Sequence, residues 1–335
     1  MSTIIQASLA ALLFIQQACA VEGAVALEPG APTDLPAVAA AHPGAGPRIW
    51  TFVKDTTTLK VLGTVQPLHR NLRFDGDGVR KAMESADALL SGEGVVTGEG
   101  IGLIRGLQLL PAMRRIKRNA SGRTLRDVTS SVDYENWRRL AERYFPGNRR
   151  AEKLRPMYAA GALYEASIAR NGLDRHHPAQ ALITDLTKNQ GIPLLDARLH
   201  VRIADPEHAI ATFHVDDETD LRCFRETLNT LQPWLDAAPL TGEAWRNGEY
   251  GDSPLPPPRC WSWLTNEAIA KSAGIILDVA VRERWMQTLR AASAEYATIF
   301  TTMPIEDLEN RSGLVAALEQ DGFVEVASQP RIATP

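Results

Sequence analysis

The sequence predicts an α/β fold, on three observations. Residues 57–65 are rich in β-branched and apolar side chains and read as a buried strand. Val79, Ala82, Met83, Ala86 and Leu90 then recur at helical spacing, which predicts a helix over 79–90 with Asp77 as its N-cap. The same alternation closes the chain: a strand over 297–303, a loop over 304–310, a helix over 313–320 stopped at Asp321-Gly322, and a strand over 323–326. Ligands of open α/β sheets bind beyond the carboxyl ends of the strands. The turn punctuated by Gly63 and Pro67 is therefore the first place to look for functional side chains.

Residues 1–20 carry no charged side chain; 9–15 form a short apolar core, and Ala18-Cys19-Ala20 is a small-residue site. This predicts a secretory signal peptide over 1–20, with a buried N-terminal helix as the alternative. The run is too short to cross a bilayer. Residues 21–47 are rich in Ala, Pro and Gly without usable periodicity. They read as a linker ahead of a domain over 48–327, with a tail over 328–335. The expected product is periplasmic or secreted, with no transmembrane span after cleavage. Once Cys19 leaves with the signal peptide, Cys223 and Cys260 remain. Two cysteines in an exported chain predict one disulfide, with two buried free thiols as the alternative.

The chain has 335 residues, 44% hydrophobic and 23% charged, with a net charge of −4. That is an ordinary globular composition and singles out no partner. Residues 91–102 hold five glycines with Glu93 and Glu99. Neither G-x-x-x-x-G-K-[ST] nor G-x-G-x-x-G in a β-α-β setting occurs, so a flexible loop is expected there. From 105 to 155 the chain is strongly basic, through Arg114, Arg115, Lys117, Arg118, Arg123, Arg126, Arg149 and Arg150 among others. The arginines fall on several short helices, which favours solvated helix faces over a surface for a polyanion or anionic lipid. No nucleic-acid motif occurs, and no nucleic-acid partner is expected.

Further helices are expected over 157–170, 178–189, 218–236, 261–270 and 275–292, with a strand over 192–195 and a proline-rich connector over 254–259. Trp245, Trp261, Trp263 and Trp285 read as core anchors. His200, His208 and His214 lie near Asp216, Asp217 and Glu218. They share no helix-face spacing and no H-E-x-x-H, so no metal is expected from them.

Several short motifs resemble the TraB/GumN family, which includes the Tiki-type proteases. Residues 55–90 look like that family's opening, where a strand ends in Gly-Thr-(Val/Ile)-His and the next helix ends in Ala-Asp. Gly63, Thr64, Val65, Ala86 and Asp87 match, and Gln66 stands in the histidine's place. The stretch 155–174 is similar to the family's Lys/Arg-Pro-Trp helix and its Gly-Leu-Asp end, with Met157 for Trp. The family's acidic residue after the second strand falls on Gly92, one step from Glu93, and the next family Glu has Asp196 as its nearest carboxylate. Glu283 and Arg284 match a Glu-Arg-Asn motif, with Trp285 for Asn. Gly313-Leu314 and Gly322-Phe323 match the family's ending, while Pro304 and Ile305 replace its Gly-His pair.

The resemblance implies a Tiki-like mixed central sheet flanked by helices. It would present the Gln66, Gly92 and Pro304 loops on one edge, with the helices of 105–155 as a lid. Active members would hold a divalent metal through the two loop histidines and use it to activate water. Gln66 can neither shuttle a proton near neutral pH nor match imidazole as a ligand. The implied protein is a catalytically degenerate pseudoenzyme of the envelope, without a cofactor, in a binding or accessory role. The alternative is an active peptidase or esterase with a divalent metal at a relocated site. Gln66, Glu93, Asp196 and Arg284 are its catalytic candidates, and Gly63, Thr64 and His69 would bind substrate. Arg284 fits an oxyanion or a lid ion pair equally well. No G-x-S-x-G elbow and no reactive-cysteine setting supports a Ser or Cys nucleophile. A third reading has the arginine region bind an anionic envelope polysaccharide, and an envelope protein is the other partner considered.

Overall fold

The computed structural model describes residues 46–99, 101–250, 256–257, 259–311 and 313–326. The expected signal peptide, nearly all of the linker and the tail lie outside them.

β1 (Ile49–Lys54) and β2 (Thr57–Thr64) form an antiparallel hairpin. Asp55 turns it at φ 50°, a left-handed conformation that a short polar side chain tolerates. The predicted strand is thus confirmed, but β1 was not anticipated. After β3 (Leu68–His69), helix α1 spans only Asp77–Glu84. Gly76 is its N-cap, and Asp75 Oδ1 accepts from the Asp77 N–H at 2.9 Å. The expected helical continuation to Leu90 is instead β4 (Ala88–Leu90). Its apolar run is drawn into the sheet, and Asp87 Oδ2 accepts from the Thr298 N–H at 2.8 Å to fix the entry.

The glycine-rich stretch is not all loop: β5 (Val95–Glu99) lies within it. The basic region forms α2 (Leu103–Ile116), α3 (Leu125–Val128) and α4 (Ser131–Tyr144), and α5 (Pro156–Arg170) starts on a proline at its first position. β6 (Leu173–Asp174) pairs with β3. α6 (Ala179–Gln190) ends on left-handed Gly191, φ 67°, then β7 (Leu194–Leu195) and β8 (Leu199–Arg202) follow, β8 parallel to β5. α7 (Pro206–Ala211) precedes α8 (Asp217–Asn247), which runs eleven residues past its expected end, with Pro233 and Pro239 inside. α9 (Cys260–Ser272), α10 (Leu277–Ser293) and β9 (Thr298–Pro304) fall where expected. The predicted 304–310 loop is helix α11 (Ile305–Asn310), before α12 (Leu314–Gln320) and β10 (Val324–Val326).

The six-stranded central sheet has the order β10-β1-β2-β9-β4-β7. β2, β9, β4 and β7 are mutually parallel, while β1 runs antiparallel to β2 and to β10. This is the mixed sheet flanked by helices that was expected. Phe52, Leu59, Val61, Ile299 and Phe300 bury their side chains against Val79 and Met83 of α1, Trp285 and Leu289 of α10, and Leu318 of α12. The expected lid helices close a second core, in which Trp137, Leu140 and Tyr144 of α4 meet Leu163 of α5 and Phe224, Leu231 and Trp234 of α8. Cys223 and Cys260 are disulfide-bonded with their Cα atoms 5.8 Å apart, tying α8 to the start of α9. Trp245, Trp261 and Trp285 pack inside as expected, but Trp263 is 42% exposed.

Candidate functional site

Four parallel strands end on one edge of the sheet. β2 delivers Gln66, β9 runs directly into α11, β4 is followed by Gly92 and Glu93, and β7 by Asp196. These are the strand-end loops where ligands of open α/β sheets sit.

Two long helices hold this edge. The Trp245 indole of α8 donates Nε1–H to the Gly63 carbonyl at 2.9 Å, and the Trp285 indole of α10 donates to the Ser91 carbonyl at 3.0 Å. Ser91 Oγ in turn accepts from the Ala197 N–H at 2.9 Å, linking the β4 and β7 loops. Gly63 is required by close approach, since a Cβ there would stand 2.5 Å from Trp50 Cζ3 and 3.2 Å from Ile305 Cγ1. Thr64 Oγ1 donates to the Met303 carbonyl at 3.1 Å, so its hydroxyl braces β2 against β9. Gln66 is exposed at the edge.

The charged groups divide into two sets. Asp196 is engaged on both oxygens: Arg198 donates to Oδ1 at 2.8 Å and Oδ2 at 2.6 Å, and His200 Nε2 lies 3.1 Å from Oδ2. The Arg198 hydrogen bonds, aided by His200, hold the Asp196 carboxyl well below the usual carboxylate range. Arg284 Nη2 donates to the Asp196 backbone carbonyl at 3.3 Å, so these two candidates do meet.

The second set surrounds α11. Loss of hydration, then the charge of Asp307, pushes the Glu93 carboxyl up, and Arg282 opposes the shift. Glu93 keeps a solvent-exposed flank while protein crowds its carboxyl. Burial and Asp307 raise Glu306 in the same way. Tyr250 is 5% exposed, its hydroxyl has no hydrogen-bond partner among the described residues, and burial with the nearby Glu306 charge raises it to about 12. Burial, with the Asp307 charge beside it, makes Glu93 and Glu306 readier than an ordinary carboxylate to take up a proton.

His69 lies elsewhere. It belongs to the β3–β6 pair, where its Nδ1 accepts from the Asn71 N–H at 3.2 Å. It lines a surface cleft of about 410 Å³ with Asp174, His176, His177 and Asp185. Buried His177 packs edge-to-face on Trp245 at 4.5 Å.

Glu306, Asp307, Tyr250 and Arg282 escaped the sequence reading. Pro304 followed by Ile-Glu-Asp carries a helix-start signal, a proline before two first-turn acids, which would have placed both carboxylates at the strand end. Nothing local flags Tyr250, in the segment just after α8, or Arg282 of α10.

The donors at the edge do not fit a family-type metal. The residues in the expected ligand places are Gln66, Pro304 and Ile305, and Ile305 is buried in the core. Among the described residues, no group of three or more His, Cys, Asp or Glu side chains is arranged to hold a metal ion. No curated protein and no solved structure matches the chain. Residues 49–326, from the first strand of the sheet to the last, match the TraB/PrgY/gumN family, and the chain belongs to that family.

Proposed function

We propose that this chain is a catalytically degenerate TraB/PrgY/gumN-family protein, exported to the envelope, which uses the carboxyl edge of its sheet to bind a ligand in an accessory role. One observation carries this reading. Where hydrolysis needs imidazoles to hold a metal-bound water, the edge offers an amide at Gln66 and a buried aliphatic chain at Ile305. Asp196 does not compensate, because Arg198 and His200 already occupy its oxygens. The apolar run over 9–15 and the Cys223–Cys260 bond support export.

Metal content tests it. The chain from Val21 onward, dialysed against zinc, manganese and cobalt and then against buffer, is expected to retain far less than one metal per chain. Near-stoichiometric metal that is lost in Glu93→Gln or Asp307→Asn sinks the degenerate reading.

A second reading rests on the raised Glu93 carboxyl beside Asp307 and Arg282. A carboxyl that holds its proton above the ordinary carboxylate range is suited to donate it to a leaving group. This reading predicts peptidase or esterase turnover whose pH profile shifts in Glu93→Gln. A screen without turnover removes it.

A further inference from the structure

The tertiary structure gathers cations that the sequence scatters. Arg118 forms a β-bridge with Leu154, the Asn119 N–H donates to the Lys153 carbonyl at 3.0 Å, and the Arg155 N–H donates to the Lys117 carbonyl at 2.9 Å. Residues 117–119 and 153–155 therefore run side by side in opposite directions, which brings the end of α2 close to the turn carrying Arg149, Arg150 and Lys153. The turn carrying Arg123 and Arg126 joins them, because Leu125 and Ala151 are buried in one core. Arg115, Arg118, Arg123, Arg126, Arg150 and Lys153 are all exposed, and none has a carboxylate within ion-pair distance among the described residues. The acids among these segments face their own neighbours: Asp127 Oδ2 accepts from the Thr124 N–H and hydroxyl at 2.8 Å, and Glu152 accepts from the Tyr134 hydroxyl at 3.2 Å.

The patch continues an apolar helix face. On α2, Ile104 is 75% and Leu107 58% exposed. Positions 104, 107, 111 and 114 are spaced i, i+3, i+7 and i+10, so exposed Ile104, Leu107 and Pro111 share a face that ends at exposed Arg114. α2 is seated on α7 through the Arg105–Glu207 pair, with Leu109 on its buried side.

We propose that this surface docks on an anionic lipid bilayer, with α2 lying in the interface, Ile104 and Leu107 entering the acyl boundary, and the three basic segments meeting acidic headgroups. Aliphatic side chains continuous with cations fit that occupant. A soluble acidic polymer would use the cations but leave Ile104 and Leu107 in water. Among the described residues no helix is long and apolar enough to cross a membrane, so the contact is peripheral.

Vesicle flotation of the full chain tests it, with phosphatidylcholine vesicles against phosphatidylcholine–phosphatidylglycerol vesicles at low and high salt. Binding is expected only to the anionic vesicles and is weakened by salt. Arg118→Glu with Arg150→Glu should lower partitioning about tenfold or more, and Ile104→Ser with Leu107→Ser severalfold. All four positions are exposed, and circular dichroism verifies that the variants fold. Equal binding to both vesicle types overturns the proposal. So does undiminished binding in the Ser pair when a soluble acidic polysaccharide competes the protein off, which would assign the face to a polyanion.

Discussion

At the residue scale, adjacent positions at the end of β2 differ sharply in tolerance. Gly63 lies between Trp50 and Ile305, both buried, and neither can retreat without opening the core. Gly63→Ala should cost about 1–3 kcal/mol through overpacking, read as a lower denaturant midpoint. An unchanged midpoint would mean that the Trp50 ring swings aside. Gln66, three residues on, is exposed and accepts substitution. Gln66→His alone should leave metal content unchanged, since Ile305 still fills the other place. The edge carboxyls set a pH dependence of definite sign. Glu306 is raised above its ordinary 4.5, so the folded state resists its ionisation and loses stability as pH rises through that region. Glu306→Gln should therefore stabilise the protein near pH 7.5 and have no effect below pH 4; equal effects at both would show that Glu306 acts through packing and not charge.

At the element scale, α8 does the most joining. It spans Asp217–Asn247 despite two internal prolines, because its apolar side is buried against both cores: Phe224, Leu231 and Trp234 in the helical one, Trp245 in the sheet one. Pro233 and Pro239 are exposed, so each lost N–H falls on the solvent side of the helix, and the carbonyl of exposed Asn229, which Pro233 leaves unpaired, can turn to water. The Cys223–Cys260 bond ties this helix to α9 across a separation of 37 residues. Closing a loop of that length stabilises by up to about 4 kcal/mol in the chain-entropy view. Cys260→Ser should lower the unfolding midpoint without altering the central sheet, seen as an unchanged far-ultraviolet dichroism spectrum before unfolding. A midpoint equal to that of the parent would mean that the bond constrains little.

At the scale of the whole molecule, His177 links separate parts. It precedes α6, lines the cleft shared with His69 and packs on Trp245, whose indole holds Gly63 at the edge of the sheet. Burial drives its pKa down from 6.5 to about 3. The imidazole is neutral in the folded state, and its contribution is fully present above pH 6.5 and lost as pH falls toward 3. Each pH unit in that window costs up to about 1.4 kcal/mol. This opposes the acid preference of Glu93 and Glu306, and the deeper burial of His177 makes it the larger effect. The parent should lose stability on acidification from pH 6.5 to 4, and His177→Gln should flatten that slope. A slope unaltered in His177→Gln would place the acid sensitivity elsewhere.

The sequence by itself determined the α/β class, the buried strand over 57–65, the strand–helix–strand close, the disulfide partners and the loops that reach one edge. These follow from local apolar periodicity, punctuation by Gly and Pro, cysteine count and resemblance. Only the tertiary structure decided the rest. Residues 88–90 are apolar enough for a helix, but pairing with β9 and β7 makes them a strand. Asp196 and Glu93 look alike as carboxylates in glycine- or arginine-bearing loops. One is neutralised by Arg198 and the other crowded by Asp307, which arrives from more than two hundred residues away. The basic region looked like scattered solvated helices until the Arg118–Leu154 bridge joined its segments into a patch. For residues 88–90, Glu93 and Arg118 the deciding contact is between residues far apart in the chain, and local spacing carries no record of it; the Asp196–Arg198 pair is local, but which side-chain rotamers close it is set by the fold.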